Sequence, residues 1–261
     1  MNPIRKGYLD TPNGQVHYRQ AGSPDAPRVL LLHQTASSSV MFEVIMARLA
    51  NDYCLFAPDT PGYGGTFFPP GPATIEYYAQ VTQQALAAFD WGECFVFGHH
   101  TGASIAVQLE QSRPGTARKM ILSGPPFLTE EQKTRFRAAI QPITIAADGS
   151  HARALWARLR AKDSQAEPAL THREFVLNLQ AGERYHETYE AVFTHDFNAQ
   201  LAAVNCRVLV MAGDTDTLRD ALEPAYAALQ QGEFRYLSGN TYICDQDPDA
   251  VARIIRKFFV T

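Results

Sequence analysis

The chain has 261 residues, of which 46% are apolar and 19% are charged, and its formal net charge is −4. This length suits one large domain, and the composition excludes a disordered chain or a coiled coil. The acidic balance and the absence of a basic run disfavour nucleic acid as a partner. No apolar stretch has the length of a membrane helix or precedes a secretory cleavage site, so we expect a cytoplasmic protein with no membrane partner.

The first half of the chain predicts strands that alternate with helices. Strands are predicted at 15–21, 29–32, 53–57, 94–97 and 119–122, and helices at 40–50, 75–89 and 101–111. Apolar runs of this length that are separated by helical periodicity are typical of a parallel sheet, because parallel strands need crossover connections. The fold class is therefore α/β, with helices on both faces of the sheet.

The second half interrupts this alternation once. Residues 127–202 contain charged, helix-forming segments without a strand-like run, and strands then resume at 208–212 and 234–237. Helices are predicted at 218–230 and 248–259. We therefore predict an α/β core formed by residues 1–126 and 203–261, and a helical cap formed by residues 127–202.

A sharp turn is predicted between the strand at 94–97 and the helix at 101–111. Gly98 and Gly102 bracket a single central residue, His100, at a spacing where larger side chains would collide. This segment resembles the nucleophile elbow of the α/β-hydrolase family. The resemblance continues in the strand that ends at His33, in the D-x-x-G-x-G loop at 59–64, and in Gly213-Asp214-Thr215-Asp216 at the usual acid position. It implies a mostly parallel twisted sheet flanked by helices.

The chain departs from this family at two catalytic positions. The elbow normally holds Ser, Asp or Cys, and here it holds His100. Near the C-terminus family members commonly read Leu-Pro-Gly-Gly-His, whereas this chain reads Leu-Ser-Gly-Asn-Thr and ends that motif at Thr241. Only Asp216 of the three usual catalytic residues remains, so an ordinary acyl-enzyme cycle does not follow from the resemblance.

The remaining residues predict a different catalytic pair. An imidazole is longer than a serine side chain, so we expect His100 to reach Asp216 and to act as a general base. The resemblance implies an oxyanion hole built from the backbone N–H of Thr101 and of Gln34 or Thr35. Two residues of the loop that normally carries the base could also replace it, namely Cys244 and Asp245.

Three functions remain open at this point. The first is a cofactor-independent hydrolase of an ester, an amide or an activated ketone. The second is a lyase, dehydratase or isomerase in which His100 removes a substrate proton. The third is a small-molecule binding protein with a degenerate catalytic site. The sequence contains no glycine-rich phosphate-binding loop, so we do not expect a nucleotide cofactor. We do not expect a metal ion either, because no carboxylate or thiol is spaced to complete a site with His33, His99 and His100.

Further residues are candidates for substrate binding because they lie near these motifs. They are His33, Ser37, His195, Thr241 and Tyr242. His99 is expected to pack away from the pocket. Aromatic residues of the predicted cap either form its core or line the pocket: Trp156, Phe175, Tyr185, Tyr189 and Phe193. If they line it, the substrate is a small apolar or aromatic carbonyl compound, bound by a monomer or a homodimer.

Overall fold

The computed structural model describes residues 3–140 and 142–260. In this part of the chain, eight strands form one sheet in the order β1-β2-β4-β3-β5-β6-β7-β8. The pairs β1–β2 and β2–β4 are antiparallel, and all the others are parallel. The strands are β1 Arg5–Thr11, β2 Gly14–Ala21, β3 Arg28–Leu32, β4 Cys54–Pro58, β5 Cys94–His99, β6 Ala117–Ser123, β7 Arg207–Gly213 and β8 Gly232–Leu237. The predicted α/β class is confirmed.

Helices cover both faces of this sheet. Successive residues of β3 point to opposite faces, so that Leu30 and Leu32 join one buried cluster while Val29 and Leu31 join the other. Helices α2 and α3 pack in the first cluster, and α1 and α11 in the second. The helices are α1 Glu43–Leu49, α2 Ile75–Ala88, α3 Thr101–Ser112, α4 Glu130–Ala139, α5 Ser150–Lys162, α6 Pro168–Ala181, α7 Glu187–Thr194, α8 Phe197–Ala202, α9 Leu222–Ala228, α10 Ile243–Gln246 and α11 Pro248–Val260.

The described residues between β6 and β7 contain helices and no strand. We call this segment the cap. It is joined to the core by buried polar contacts: the hydroxyls of Tyr63 and Tyr78 each lie 2.6 Å from the Thr188 hydroxyl. The cap also has apolar residues that cluster with Ala36 and Tyr63 of the core. These contacts hold the cap above the carboxyl ends of the parallel strands.

Several elements differ from the predictions in ways that local chemistry explains. Strand β1 was not predicted, because an edge strand with exposed residues lacks a buried apolar run. The helix predicted at 218–230 is shorter, since Pro224 is tolerated only in a first helical turn and α9 therefore begins at Leu222. The cap helices α7 and α8 were not predicted from the sequence. Helix α2 is capped by Thr74, whose hydroxyl accepts from the N–H of Tyr77 at 3.1 Å.

None of the helices in the described part of the chain combines the length and the apolar character needed to cross a bilayer.

A buried carboxylate organises the loop that follows β4. One oxygen of Asp59 accepts from the N–H of Ser39 (2.7 Å), and the other accepts from the N–H of Gly65 (3.0 Å) and contacts Nδ1 of His17 (2.7 Å). Burial alone would raise the pKa of Asp59. The hydrogen bond with His17, the proximity of His33 and the two backbone donors outweigh burial and lower this pKa to about 2.

Stability below pH 5 should therefore depend on Asp59. The pKa of about 2 in the folded protein lies below the ordinary value of 3.8, so the contribution is present at pH 5 and is lost as the pH falls toward 2. Its size is on the order of 2 kcal/mol. We expect Asp59→Asn to be less stable than the wild type at pH 7, and the difference in free energy of unfolding to shrink toward pH 2.5.

Chemical denaturation at pH 7, 5, 3.5 and 2.5 measures this difference, with the exposed Asp25→Asn as a control. If the difference in free energy of unfolding between Asp59→Asn and the wild type stayed constant across this range, ionisation of Asp59 would not explain the loss of stability in acid.

Candidate active site

The residue at the elbow has an unusual backbone conformation. His100 connects β5 to α3 with φ 49° and ψ −109°, which costs a non-glycine residue on the order of 1–3 kcal/mol. The turn is possible because both flanking glycines lack side chains. A Cβ on Gly98 would collide with the carbonyl oxygen of Gly102, and a Cβ on Gly102 would collide with that of Leu32. The predicted tight turn is confirmed.

The side chain of His100 meets the carboxylate of Asp216. Nε2 of His100 lies 2.9 Å from Oδ2 of Asp216, and Oδ1 of Asp216 accepts from the N–H of Leu218 at 2.7 Å. The Asp216 side chain is only 1% exposed and that of His100 is 13% exposed. The hydrogen bond predicted between these two residues is therefore present.

The surroundings keep Asp216 ionised. Burial alone would raise its pKa, but His100, the nearby His99 and the Leu218 N–H together hold the pKa of Asp216 well below its usual range. An ionised carboxylate can only accept, so Nε2 of His100 donates the hydrogen bond. The lone pair of the neutral imidazole then lies on Nδ1.

A glycine after β6 makes room for this imidazole. Gly124 has φ 59°, and a Cβ at this position would overlap Cδ2 and Nε2 of the His100 ring. The sequence marks Gly124 only as the end of a strand, and nothing in the linear pattern connects it with His100. The structure therefore adds a third residue on which the position of the ring depends.

His100 lines the first of two adjoining compartments of a cavity. The first has a volume of about 190 Å³ and is lined by His100, Thr101 and mostly apolar residues. The second has about 280 Å³ and contains more polar side chains. Four residues line both compartments: Ile140, Lys162, Tyr189 and Thr217. The apolar residues of the first compartment are Pro126, Leu128, Phe136, Ile140, Val192, Phe193 and Leu218.

The aromatic residues predicted for the cap divide between its interior and this cavity. Tyr189 and Phe193 line the first compartment, and Tyr185 lines the second. Trp156 and Phe175 pack against each other, with ring centres 5.5 Å apart. Some of these five aromatic residues therefore line the cavity, and others pack within the cap.

The loop after β3 lies against the start of α3. The hydroxyls of Thr35 and Thr101 are 2.7 Å apart, and the Tyr189 hydroxyl donates to the carbonyl oxygen of Thr35 at 3.2 Å. Thr101 is the first residue of α3, so its N–H has no acceptor within the helix. Gln34 and Thr35 line the second compartment. The backbone of both segments is thus close to the cavity.

His33 does not meet the expectation of a substrate contact. Nδ1 donates to the carbonyl oxygen of Gln34 (2.9 Å), and Nε2 accepts from the N–H of Thr60 (2.9 Å). Burial lowers the pKa of His33, which keeps the ring neutral. Because both ring nitrogens are used, this side chain braces the loops after β3 and β4 instead.

Ser37 and His195, also predicted to contact substrate, lie outside both compartments and form hydrogen bonds within the fold. The Ser37 hydroxyl is fully buried and donates to Glu174 of the cap at 3.2 Å. Nε2 of His195 lies 3.1 Å from Oε1 of Gln108 and 3.0 Å from Oε1 of Gln200. His195 therefore links α3 with α8, and neither compartment includes Ser37 or His195 among its lining residues.

The C-terminal loop is fastened to the elbow by a histidine. Nε2 of His99 donates to the carbonyl oxygen of Thr241 at 2.8 Å, and burial together with His100 lowers the pKa of His99 to about 3. The interpretation of His99 as a packing residue is confirmed. The Thr241 side chain is buried and lines neither compartment, whereas Tyr242 lines the second compartment.

Neither candidate replacement for the missing base reaches the cavity. Cys244 lies in the apolar core beneath the sheet, where burial raises the pKa of its thiol. Asp245 makes two hydrogen bonds with Arg173, at 2.7 and 2.8 Å. His100 lines the first compartment, and Asp216 lies behind it as its buried hydrogen-bond partner. Within residues 3–140 and 142–260, no group of three or more His, Cys, Asp or Glu side chains is arranged to hold a metal ion.

Sequence reasoning missed Lys162, which lines both compartments. It is the last residue of α5, and its ammonium lies 5.4 Å from the centre of the Tyr242 ring. The sequence shows it only as one of several basic residues in a charged cap helix. Its position in the cavity depends on how α5 packs over the core, which linear periodicity does not reveal.

Comparisons with known proteins agree with the fold. The sequence profile of the α/β hydrolase fold matches residues 27–230, and the chain belongs to this family. A hydrolase from Pseudomonas aeruginosa PA01 has a similar structure, with a TM-score of 0.84 and 22% identity over 98% of this chain and 99% of the other.

Two curated relatives are similar over about half of this chain. An uncharacterized protein of Mycobacterium bovis is 29% identical over 138 residues, which are 53% of this chain and 38% of the relative. A serine hydrolase-like protein of Homo sapiens is 27% identical over 128 residues, which are 48% of this chain and 63% of the relative. The matched region is thus well under half the length of the mycobacterial relative.

The space provided by Gly124 can be tested by filling it. We expect Gly124→Ala to displace the His100 ring and to lengthen the Nε2–Oδ2 distance to Asp216 beyond 3.5 Å in a crystal structure. Gly182→Ala is the matched control, because Gly182 has the same φ of 59° but no atom lies within 4 Å of the added Cβ. An unchanged His100–Asp216 distance in Gly124→Ala would contradict this description.

Proposed function

We propose that the protein is a cofactor-independent hydrolase of an ester, an amide or an activated ketone, in which His100 is the general base. The observation that carries this proposal is the 2.9 Å hydrogen bond between Nε2 of His100 and Asp216, at the elbow beside a mostly apolar compartment. Membership of the α/β hydrolase family supports hydrolysis as the reaction type.

Asp216 gives His100 the properties of a base. By accepting from Nε2, the carboxylate fixes the tautomer with a lone pair on Nδ1 and stabilises the imidazolium that forms when Nδ1 takes a proton. The low pKa of Asp216 ensures that this carboxylate remains ionised throughout. The strained backbone of His100 agrees with this role, because such strain is often kept at functional sites.

In the first step, Nδ1 of His100 removes a proton from water while the water oxygen attacks the substrate carbonyl carbon. The carbonyl oxygen becomes an oxyanion. The N–H of Thr101 and that of Thr35 or Gln34 are the proposed donors to it, and one such donor is typically worth about 3 kcal/mol. These donors belong to the backbone, so they do not require the serine that the elbow lacks.

In the second step, the tetrahedral intermediate collapses. The bond from the carbonyl carbon to the leaving group breaks, and the imidazolium of His100 returns its proton to the leaving atom. The net reaction consumes one water, releases an acid and an alcohol, amine or second carbonyl compound, and regenerates neutral His100. No covalent enzyme intermediate is needed.

The first compartment suits the apolar or aromatic part of the substrate. Its volume of about 190 Å³ exceeds the roughly 150 Å³ cavity that holds a benzene molecule. Seven of its residues are apolar, and Phe193 supplies an aromatic surface. We therefore expect a small substrate with one apolar or aromatic group next to the reacting carbonyl.

Loss of His100 should abolish turnover. With 4-nitrophenyl esters as substrates, we expect kcat to fall at least about 100-fold in His100→Ala, which is the usual size of a general-base contribution. Asp216→Asn should lower kcat by a comparable factor, because a neutral amide no longer stabilises the imidazolium. Thermal unfolding of each variant reports whether the fold is retained.

Asp214→Asn is the matched control for Asp216→Asn, because Asp214 lies in the same turn but is exposed. It should retain wild-type kcat. Undiminished kcat in His100→Ala would overturn the proposal. Thermal stabilisation by an ester that is never hydrolysed would point to a binding protein, and exchange of a substrate proton with solvent without hydrolysis would point to a lyase or isomerase.

A further inference from the structure

Glu174, in helix α6 of the cap, is a buried carboxylate whose hydrogen bonds are all made by one oxygen. Its side chain is 3% exposed, and the residue lines the second compartment of the cavity. Oε1 accepts from the Ser37 hydroxyl at 3.2 Å and from Nε of Arg173 at 2.8 Å. In the described part of the chain, no group donates to Oε2. Because buried polar atoms are normally hydrogen-bonded, Oε2 lacks a donor that its burial calls for.

This second oxygen is open to the cavity. Oε2 is not among the side-chain atoms of the described residues that are both sealed from solvent and without a partner, so it keeps accessible surface. Since Glu174 lines the second compartment, that surface faces a space where a ligand can bind. Burial raises the pKa of Glu174, and Arg173 and Ser37 do not fully offset this effect. A further donor would therefore stabilise the ionised carboxylate.

A second acceptor lies one helical turn further along α6. Asn178 is 4% exposed and also lines the second compartment. Its Nδ2 donates to the carbonyl oxygen of Glu174 at 2.8 Å, which leaves Oδ1 as the acceptor of this amide. Among the residues that the structure describes, none donates to Oδ1. Because residues four apart share one face of a helix, Glu174 and Asn178 present two acceptors to the same compartment.

The charges around Glu174 favour a neutral donor. Oε1 already has a cationic partner in Arg173, with Nη2 at 2.7 Å. Lys162 lines the same compartment, so the ammonium of a ligand would be repelled there. A carboxylate of a ligand would in turn be repelled by Glu174. A hydroxyl group carries no charge and forms a short, strong hydrogen bond with an ionised carboxylate.

We propose that Oε2 of Glu174 binds a hydroxyl group of the substrate, and that the substrate is a small carbonyl compound with an apolar part and a hydroxyl group. The apolar part fills the first compartment beside His100, and the hydroxyl group donates to Glu174 in the second. Ile140 and Tyr189 are among the residues that line both compartments, so one ligand can extend between them. Glu174 is then a specificity-determining residue that takes no part in proton transfer. The reaction rests on the proposed hydrolase function, whereas the hydroxyl site can be tested by binding alone.

Two esters that differ in one group test this specificity. The acyl chains of 4-nitrophenyl 6-hydroxyhexanoate and 4-nitrophenyl heptanoate have the same number of non-hydrogen atoms, and they end in a hydroxyl and a methyl group. In the wild type we expect the ratio of kcat/KM for the hydroxy ester to that for the heptanoate to be above one. Glu174→Gln should lower this ratio at least about 10-fold, because an amide NH₂ that replaces Oε2 can no longer accept.

Ser37→Ala is the matched control, because it removes a hydrogen bond to Oε1 of the same carboxylate and leaves Oε2 in place. It should leave the ratio unchanged. An unchanged ratio in Glu174→Gln would overturn the proposal. Equal losses of kcat/KM for both esters would also overturn it, because Glu174 would then support the reacting centre or the fold rather than the hydroxyl group.

Binding of ligands that contain no ester separates this proposal from the catalytic one. Using calorimetry, we expect 4-phenylbutan-1-ol to bind the wild type and His100→Ala at least about 10-fold more tightly than its methyl ether, which has no hydrogen to donate. Glu174→Gln should abolish the difference.

The comparison in the wild type is independent of whether any variant folds. If the wild type binds the alcohol no more tightly than the ether, or binds neither, the hydroxyl site fails whatever the kinetics. If the preference is found but His100→Ala hydrolyses esters normally, the catalytic proposal alone fails.

Discussion

The hydrogen bond between His100 and Asp216 determines how the site of this protein is built. His100 follows β5 and Asp216 follows β7, and β6 lies between these strands in the sheet. Neighbouring strands are separated by about 4.8 Å, so the two backbones are roughly twice that distance apart. A serine hydroxyl could not bridge the gap, whereas an imidazole can. Gly124, at the end of β6, has no side chain to obstruct the ring.

In the proposed reaction, the nucleophile, base and acid of an ordinary hydrolase are replaced by a base that is hydrogen-bonded directly to the acid, and water takes the place of the nucleophile. The proposed oxyanion donors at Thr101 and in the loop after β3 belong to the backbone, so they do not depend on a serine at the elbow. The cost lies in the strained φ of His100 and the buried charge of Asp216, both stabilised by their surroundings.

The parts of the site that follow from the sequence are those marked by local turn chemistry. The spacing of glycines around His100 and the position of Asp216 after its strand predicted the hydrogen bond between them. Proximity to a motif does not indicate the direction of a side chain: both ring nitrogens of His33 form hydrogen bonds within the fold, and Nε2 of His195 contacts Gln108 and Gln200 outside the cavity. Lys162 could not be predicted, because its relation to the cavity arises from contacts between cap and core that are remote in sequence.

The central claim is that His100 presents an unprotonated Nδ1 because Asp216 holds the proton on Nε2. Nitrogen NMR of the protein labelled with ¹⁵N in its histidine rings reports directly which nitrogen of His100 carries hydrogen, with His100→Ala used to assign the signals. In the neutral ring we expect hydrogen on Nε2 and none on Nδ1. A neutral ring with its hydrogen on Nδ1 would contradict this claim, because Nδ1 would then have no lone pair with which to accept a proton from water.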